Sequence, residues 1–422
     1  MRGQRAAIVV YILAVWFVIS FVTNIIGPLM PTIIGDFRLS LALAGFLPFS
    51  FFLAYGLISI PAGIAVEKYG AKRALLAAFA LNLAGSLAIA LVPNYATVIG
   101  ALFVIGLGMA MLQVVINPLM RTAGGEAHFA FFSVMGQLVF GLASFLSPLV
   151  FSGLMQRASG EVARDGAWDA LLDLSPTALP WVSLYWAFTA IFVALVALTW
   201  GMNIPCIELA SDERAGTRDT YAKLFADRHV RLYFLGIIAY VGTEQSLANW
   251  MSQFLSVYHG ASPIVEGAHA VGLFWGLMSV GCVLGLLLLK ILDSKLVLAI
   301  FSAVAIACVA VALFGTREAA LLAFPASGFF LSVMFSVIFS LALNSVSQHH
   351  GALSGILCTG ILGGAIVPLI VGMLGDRIGL RAAMTLVFIT IAYIFSIGIW
   401  ARPLVRNDTV DLSRIFGFSK QS

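Results

Sequence analysis

Charge is what this chain has least of: Lys, Arg, Asp and Glu make up 10% of its 422 residues, whereas 61% are hydrophobic. Ordinary soluble domains carry about 25% charged and about 45–50% apolar residues. So few charges cannot cover the surface of a soluble chain this long, which excludes a soluble globular enzyme. An exterior facing lipid removes the difficulty, because apolar side chains then point outward. Cysteine is also sparse. Cys206, Cys282, Cys308 and Cys358 are widely separated, with neither a metal-ligand spacing nor a disulfide framework. They read as small core residues, and no metal or cofactor is expected. The net charge of +4 comes from basic residues dispersed among loops, which excludes nucleic acid as a partner.

What the chain does have is long apolar runs. A membrane-crossing helix needs about 20 apolar residues, and the runs recur from end to end, so a single anchor is excluded. Six spans are expected at roughly 8–30, 42–65, 74–92, 96–120, 128–151 and 181–204. Six more follow at roughly 230–257, 267–289, 296–314, 319–346, 352–374 and 382–401. Continuous runs of this length argue against a β-barrel, whose strands alternate over about ten residues. The first run is too long for a cleaved signal peptide, and no small-residue cleavage site follows it. With the N-terminus placed inside, 17 of the 23 basic residues fall on the inner side and 6 on the outer. Lys and Arg favour the cytoplasmic side; both termini are therefore expected there, in a cell (inner) membrane.

The expected fold class is an all-α membrane protein of twelve transmembrane helices in two six-helix bundles. Residues 1–204 form the first bundle, 205–229 a cytoplasmic linker rich in charge, and 230–422 the second bundle with a short tail. A second polar stretch, 152–180, is placed outside. An internal repeat supports the division: Ser147-Pro148-Leu149-Val150-Phe151-Ser152-Gly153 resembles Val367-Pro368-Leu369-Ile370-Val371-Gly372-Met373, 220 residues later. Duplicated halves commonly hold a solute between them near the bilayer midplane. Glycine clusters such as Gly100/Gly106/Gly108 and Gly360/Gly363/Gly364 suit close helix approach.

After the second span the chain reads Gly63-Ile64-Ala65-Val66-Glu67-Lys68-Tyr69-Gly70-Ala71-Lys72-Arg73. The glycine, the acid four residues on, the second glycine and the paired basics resemble the signature of the major facilitator superfamily, with Glu67 where aspartate is usual. The resemblance implies two bundles around one alternating-access cavity. The acid would face a helix N-terminus, and Lys72 and Arg73 would pair with acids or helix C-termini across the seam between halves. The plainer reading is a positive cytoplasmic loop. Gly375-Asp376-Arg377-Ile378-Gly379-Leu380-Arg381 is a related acidic-basic turn after the eleventh span.

Ionisable residues inside a membrane are costly and point to function. Eighteen of the 19 acids lie in loops, tails or span ends; the exception is Glu244, deep in the seventh span. It sits in Tyr240-Val241-Gly242-Thr243-Glu244-Gln245-Ser246-Leu247-Ala248-Asn249-Trp250. Gln245 and Asn249 are four apart and share a face. Amides suit a polyhydroxylated ligand, and the Trp250 ring could cover the apolar face of a sugar. Gln113 and Asn117 repeat the spacing in the fourth span; Asn24, Gln137 and Asn344 stand in the first, fifth and tenth. Hydrogen bonding between helices is the competing reading for each amide. For Glu244 it is a neutral carboxyl that only ties helices together.

Four stretches resemble one branch of the superfamily, the fucose:proton symporter-type sugar porters. They are Phe51-Phe52-Leu53-Ala54-Tyr55-Gly56 running into Ile60-Pro61-Ala62-Gly63; Leu112 to Pro118; Tyr240 to Trp250; and Ile338 to Leu343 continuing to Gly363-Gly364-Ala365-Ile366-Val367-Pro368. By this resemblance Asn24 and Gln137 match sugar-contacting residues. Gly27 replaces a functional aspartate, and Gln113 replaces the glutamate tied to proton coupling. Glutamine cannot titrate, so if transport is coupled Glu244 is left to couple a proton or sodium; the alternative is a facilitator without coupling. The expectation is a monomeric sugar transporter in a lipid bilayer, its solute held by Asn24, Gln113, Asn117, Gln137, Gln245, Asn249, Trp250 and Asn344. An exporter of amphipathic drugs or lipids and a non-transporting sensor are the alternatives. A membrane enzyme has least support, because no nucleophile–base pair or paired acids converge within the spans.

Overall fold

Backbone N–H and C=O groups find no water in the core of a bilayer, so an apolar chain of this kind must pair them internally. The computed structural model, which describes residues 2–124, 129–163, 166–205, 218–346 and 348–404, does this with helices alone among those residues. Residues 206–217 of the linker, Cys206 included, and the tail after 404 lie outside the described residues. Spans α1 (Ala6–Phe37), α2 (Leu41–Tyr69), α3 (Ala71–Leu91), α4 (Tyr95–Ala123), α5 (Met135–Ala158) and α6 (Val182–Gly201) come first. After the linker come α7 (Arg228–His259), α8 (Pro263–Ile291) and α9 (Ser294–Phe314). The last three are α10 (Arg317–Leu343), α11 (His350–Ile378) and α12 (Leu380–Trp400).

Eleven of these are long and apolar enough to cross a membrane. The twelfth, α7, has 32 residues and a length of about 48 Å at 1.5 Å per residue. It falls short in hydropathy because Glu244, Gln245, Asn249 and Gln253 all lie within it. Several helices outrun the expected spans: α1 continues past Pro28 and Pro31 to Phe37, and α5 reaches Ala158. The polar stretches also contain short helices, Ala167–Asp173 and Arg218–Ala226.

Helix starts are capped by side chains that occupy otherwise unpaired N–H groups. Ser40 accepts from Leu43 N, Asp227 from His229 N, Asp293 from Lys295 N and Thr316 from Ala319 N. Two connections are single glycines. Gly70 joins α2 to α3 at φ 84°, ψ 160°, and Gly379 joins α11 to α12 at φ 83°, ψ 149°. Both lie in the region that only glycine adopts freely. Spans α1, α10 and α11 are interrupted at Ile25, Ser332–Val333 and Gly360–Leu362. In α1 the cause is local: Pro28 has no N–H, so the Asn24 carbonyl loses its helical donor.

Neighbours repeat at an interval of six helices. In the first bundle α1 packs on α4 and α5, α4 on α2 and α3, and α3 on α6. In the second α7 packs on α10 and α11, α10 on α8 and α9, and α9 on α12. The bundles meet along α2–α11, α5–α8 and α1–α7. An even number of crossings puts both chain ends on one face, here the terminal face; the other is the far face.

Small residues set these approaches, though not at every glycine. A Cβ on Gly106 of α4 would run into the Phe51 carbonyl oxygen of α2, whereas one on Gly100 would meet nothing within 4 Å. We therefore predict that Gly106→Ala destabilises the purified protein by about 1–3 kcal/mol. Gly100→Ala, on the same helix, should be neutral or stabilising, and thermal unfolding in detergent compares the two.

Candidate functional site

Mid-depth in α7, polar side chains form one continuous chain of hydrogen bonds. Tyr240 donates its phenol proton to Oε2 of Glu244 at 2.5 Å, one turn away, and Gln245 Nε2 donates to Oε1 at 3.0 Å. Asn249 Nδ2 donates to the Gln245 carbonyl oxygen at 2.8 Å and to Gln245 Oε1 at 3.3 Å. Both carboxylate oxygens are thus held by donors from their own helix, which fixes the side chain without help from a neighbouring span. Gln245 and Asn249 are buried, while Glu244 remains half-buried.

Helical geometry sends these residues towards different partners. The Tyr240 ring meets Phe335 of α10 at 5.9 Å, and Cys282 Sγ of α8 donates to the Ser332 carbonyl oxygen at the break in α10 at 3.3 Å. Gln245 packs on Gly364 of α11, as does Phe52 of α2. Ala248 touches α1, where a Cβ on Gly27 would lie 2.5 Å from its carbonyl oxygen. Glu244 stands between the α1-facing and α10-facing sides of α7, where the two bundles adjoin. Thr243 Oγ1 instead ties α7 to Thr390 of α12 at 2.6 Å.

The first bundle presents Asn24 at the break in α1. Its Nδ2 donates to Ser144 Oγ of α5 at 2.8 Å and to Ser20 Oγ at 3.4 Å. Ser20 in turn bonds Ser144 Oγ at 2.6 Å and the Phe140 carbonyl oxygen at 2.5 Å. The amide N–H groups of this buried side chain are therefore engaged between α1 and α5. On α5, Gln137 is exposed one turn from Gly141, which leaves the room that Ser279 of α8 occupies. An exposed amide at this depth fits a water-filled space better than lipid. Gln113 of α4 is half-buried, and the side chain of Asn117 lies outside the described residues.

Two expected site residues lie elsewhere. Trp250 is fully buried; its Nε1 donates to the Pro368 carbonyl oxygen of α11 at 3.0 Å, and its ring packs against Gly372. It packs between α7 and α11 within the second bundle and presents no open face for stacking, because its position on α7 points at α11. Asn344 lies beyond the end of α10, twelve residues past the break at Ser332 and so about 18 Å further along. Its Nδ2 donates to Ser340 Oγ at 3.4 Å, and its carbonyl accepts from Leu404 N at 2.7 Å. With Leu289, Ser294, Ser336 and Ser340 it lines a separate pocket of about 230 Å³.

The Gly63–Arg73 turn also behaves differently from expectation. Lys72 Nζ donates to the Trp200 and Met202 carbonyl oxygens at 2.7 and 2.8 Å. It does meet a helix C-terminus, as the macrodipole favours, but that helix is α6 of its own bundle and not one across the seam. Gly70 is required by its φ of 84°, Gly63 has open space around it, and Glu67 and Arg73 are exposed. Residues that the amide pattern did not single out are Tyr240, Ser20 and Ser144. The four-residue spacing of Tyr240 and Glu244 is the one signal for them visible beforehand.

Residues 12–361 match the family model described as Major Facilitator Superfamily. A glucose/galactose transporter of Brucella abortus is 32% identical over 91% of this chain and 91% of its own length. An L-fucose-proton symporter of Escherichia coli is 24% identical over 87% of this chain and 86% of its own. A crystal structure of the Escherichia coli fucose:proton symporter superposes with a TM-score of 0.67 at 21% identity, covering 94% of this chain and 99% of that one. That of a bacterial homologue of the human lysosomal transporter Spinster, inward-facing and occupied, gives 0.68 at 14%, covering 95% and 97%.

The hydrogen-bond chain makes a stability prediction. Gln245→Leu removes a donor from Glu244 and an acceptor from Asn249 and should cost about 1–3 kcal/mol. Ser246 is adjacent, and its buried hydroxyl has no partner among the described residues, so Ser246→Ala should cost nothing. Paired thermal melts in detergent test the contrast.

Proposed function

The chain belongs to the Major Facilitator Superfamily, and on that premise we propose that it moves a hexose of the glucose or galactose class by alternating access, coupled to a proton or sodium ion at Glu244. The observation that carries this reading is the half-buried Glu244 carboxylate inside a chain of amide and phenol donors, where the two bundles adjoin. A sugar offers hydroxyls that both donate and accept, and Gln245 and Asn249 can answer both roles. The names of the relatives, glucose/galactose transporter and L-fucose-proton symporter, support the same solute class. No cofactor enters the cycle, and one chain suffices. The terminal face is assigned to the cytoplasm of an inner membrane, on the 17-to-6 distribution of basic residues.

Coupling follows from the cost of burying charge. An ionised carboxylate sealed between bundles is expensive unless it is neutralised or paired. With solute bound and Glu244 still ionised, closure of the bundles over it is disfavoured. A bound proton or cation removes that penalty, and solute hydroxyls supply hydrogen bonds in place of water. The loaded carrier can then rock; after solute and ion leave, the Tyr240 and Gln245 donors meet the bare carboxylate, so that the empty carrier returns without its ion. Gln113 has no titratable group, so Glu244 acts without a second intramembrane acid.

Glu244→Gln keeps shape and hydrogen bonding while removing the titratable group. In proteoliposomes this variant should lose accumulation driven by an ion gradient yet retain solute counterflow. Accumulation equal to that of the unaltered protein would overturn the coupling role.

A further inference from the structure

At the far face, the N-terminus of α2 is held by a side chain from the other bundle. Asp376, near the end of α11, accepts Leu41 N–H on Oδ1 at 2.8 Å and Ala42 N–H on Oδ2 at 2.9 Å. Ser40 of α2 takes the next N–H, that of Leu43, at 3.2 Å. The first N–H groups of a helix have no partner within it. Here two of them are satisfied across the seam by a residue more than 330 positions away, and one from within α2. A carboxylate at this end is also favoured by the helix dipole.

The backbone around the contact is shaped for close approach. A Cβ on Gly372 would run into the Leu41 carbonyl oxygen, and one on Gly375 would lie 2.9 Å from Leu41 Cδ1. On the opposing helix, a Cβ on Gly45 would lie 3.1 Å from Leu369 Cα. Gly379, three residues after Asp376, then turns the chain sharply into α12. Asp376 itself is exposed to solvent. Its bonds can be exchanged for bonds to water, so the contact is strong enough to orient the two ends and weak enough to release them.

We propose that Asp376 is the latch that closes the far-face mouth, and that it leaves the α2 N-terminus each time that mouth opens. Any alternating-access cycle must separate α2 from α11 at this end, so the proposal holds whichever solute or ion is carried. When the latch releases, Leu41 and Ala42 N–H pass to water, while Ser40 continues to cap Leu43. The helix end therefore survives opening, and only the contact across the seam is lost.

The test places spin labels through Leu43→Cys and Met373→Cys, both exposed at this mouth, in full-length protein whose four native cysteines are changed to alanine. Pulsed electron resonance then reads the distance between the bundles. Asp376→Ala should shift the closed-to-open ratio towards the longer distance by roughly tenfold, the scale of a lost helix cap. Thr316→Ala removes the cap of another far-face helix, α10, without touching this contact and should leave the ratio unchanged. An unchanged distribution in Asp376→Ala overturns the proposal. So does an equal shift in both variants, which would mean that loss of any far-face helix cap opens the mouth. Matching helical circular dichroism identifies variants that have folded, and Asp376→Asn, with one acceptor oxygen in place of two, provides an intermediate if the alanine variant does not.

Discussion

A carboxylate held inside a protein that has almost no other charge at that depth is the constraint on which the rest depends. Lipid outside and apolar helices inside leave Glu244 only partly open to solvent, so its oxygens are met by the protein. Tyr240 and Gln245 meet them from the same helix. Among the described residues no neighbouring span bonds the carboxylate, so α7 can keep its site intact while the first bundle shifts against it. The polarity needed for this is also what makes α7 the span that falls short in hydropathy, and the packing of α1, α10, α11 and α12 around it compensates.

Movement needs seams that are close but not cemented. Between bundles, α2 meets α11 through Gly45, Gly364, Gly372 and Gly375, and α5 meets α8 through Gly141. Glycine lets backbones approach without the interlocking that side chains impose. Within each bundle the ties are more polar and more specific: Asn24–Ser20–Ser144 joins α1 to α5, Thr243–Thr390 joins α7 to α12, and Lys72 joins α3 to α6. Firm bonds inside bundles and smooth contact between them suit two bodies that rock as units.

Much of this was legible in the amino-acid pattern, and what was not has a physical cause. Helices as long and apolar as α9 announce themselves, and Glu244 is conspicuous because nothing like it stands in another span. Direction is harder. The sequence puts Trp250 and Asn249 next to each other on α7, but only the packing reveals that the Trp250 ring turns into α11 of its own bundle. Asn344 has the composition of a site residue and the location of a helix end, because α10 breaks at Ser332 and finishes earlier than its apolar run suggests. Lys72 was correctly read as a partner for a helix C-terminus, yet the helix proved to be α6. Asp376 stood in a recognisable acidic-basic turn, but its partners, Leu41 and Ala42, lie in another bundle, beyond any local pattern.

The central claim is that this protein uses an ion gradient to move a hexose past Glu244. Its most direct test is uptake of labelled glucose and galactose by the unaltered protein in liposomes, with an imposed pH or sodium gradient and with none. The account predicts saturable uptake that rises above the external concentration under one of the two gradients and falls back when an ionophore collapses it. Equilibration to the external concentration under every gradient, or no saturable uptake of either sugar, would contradict it.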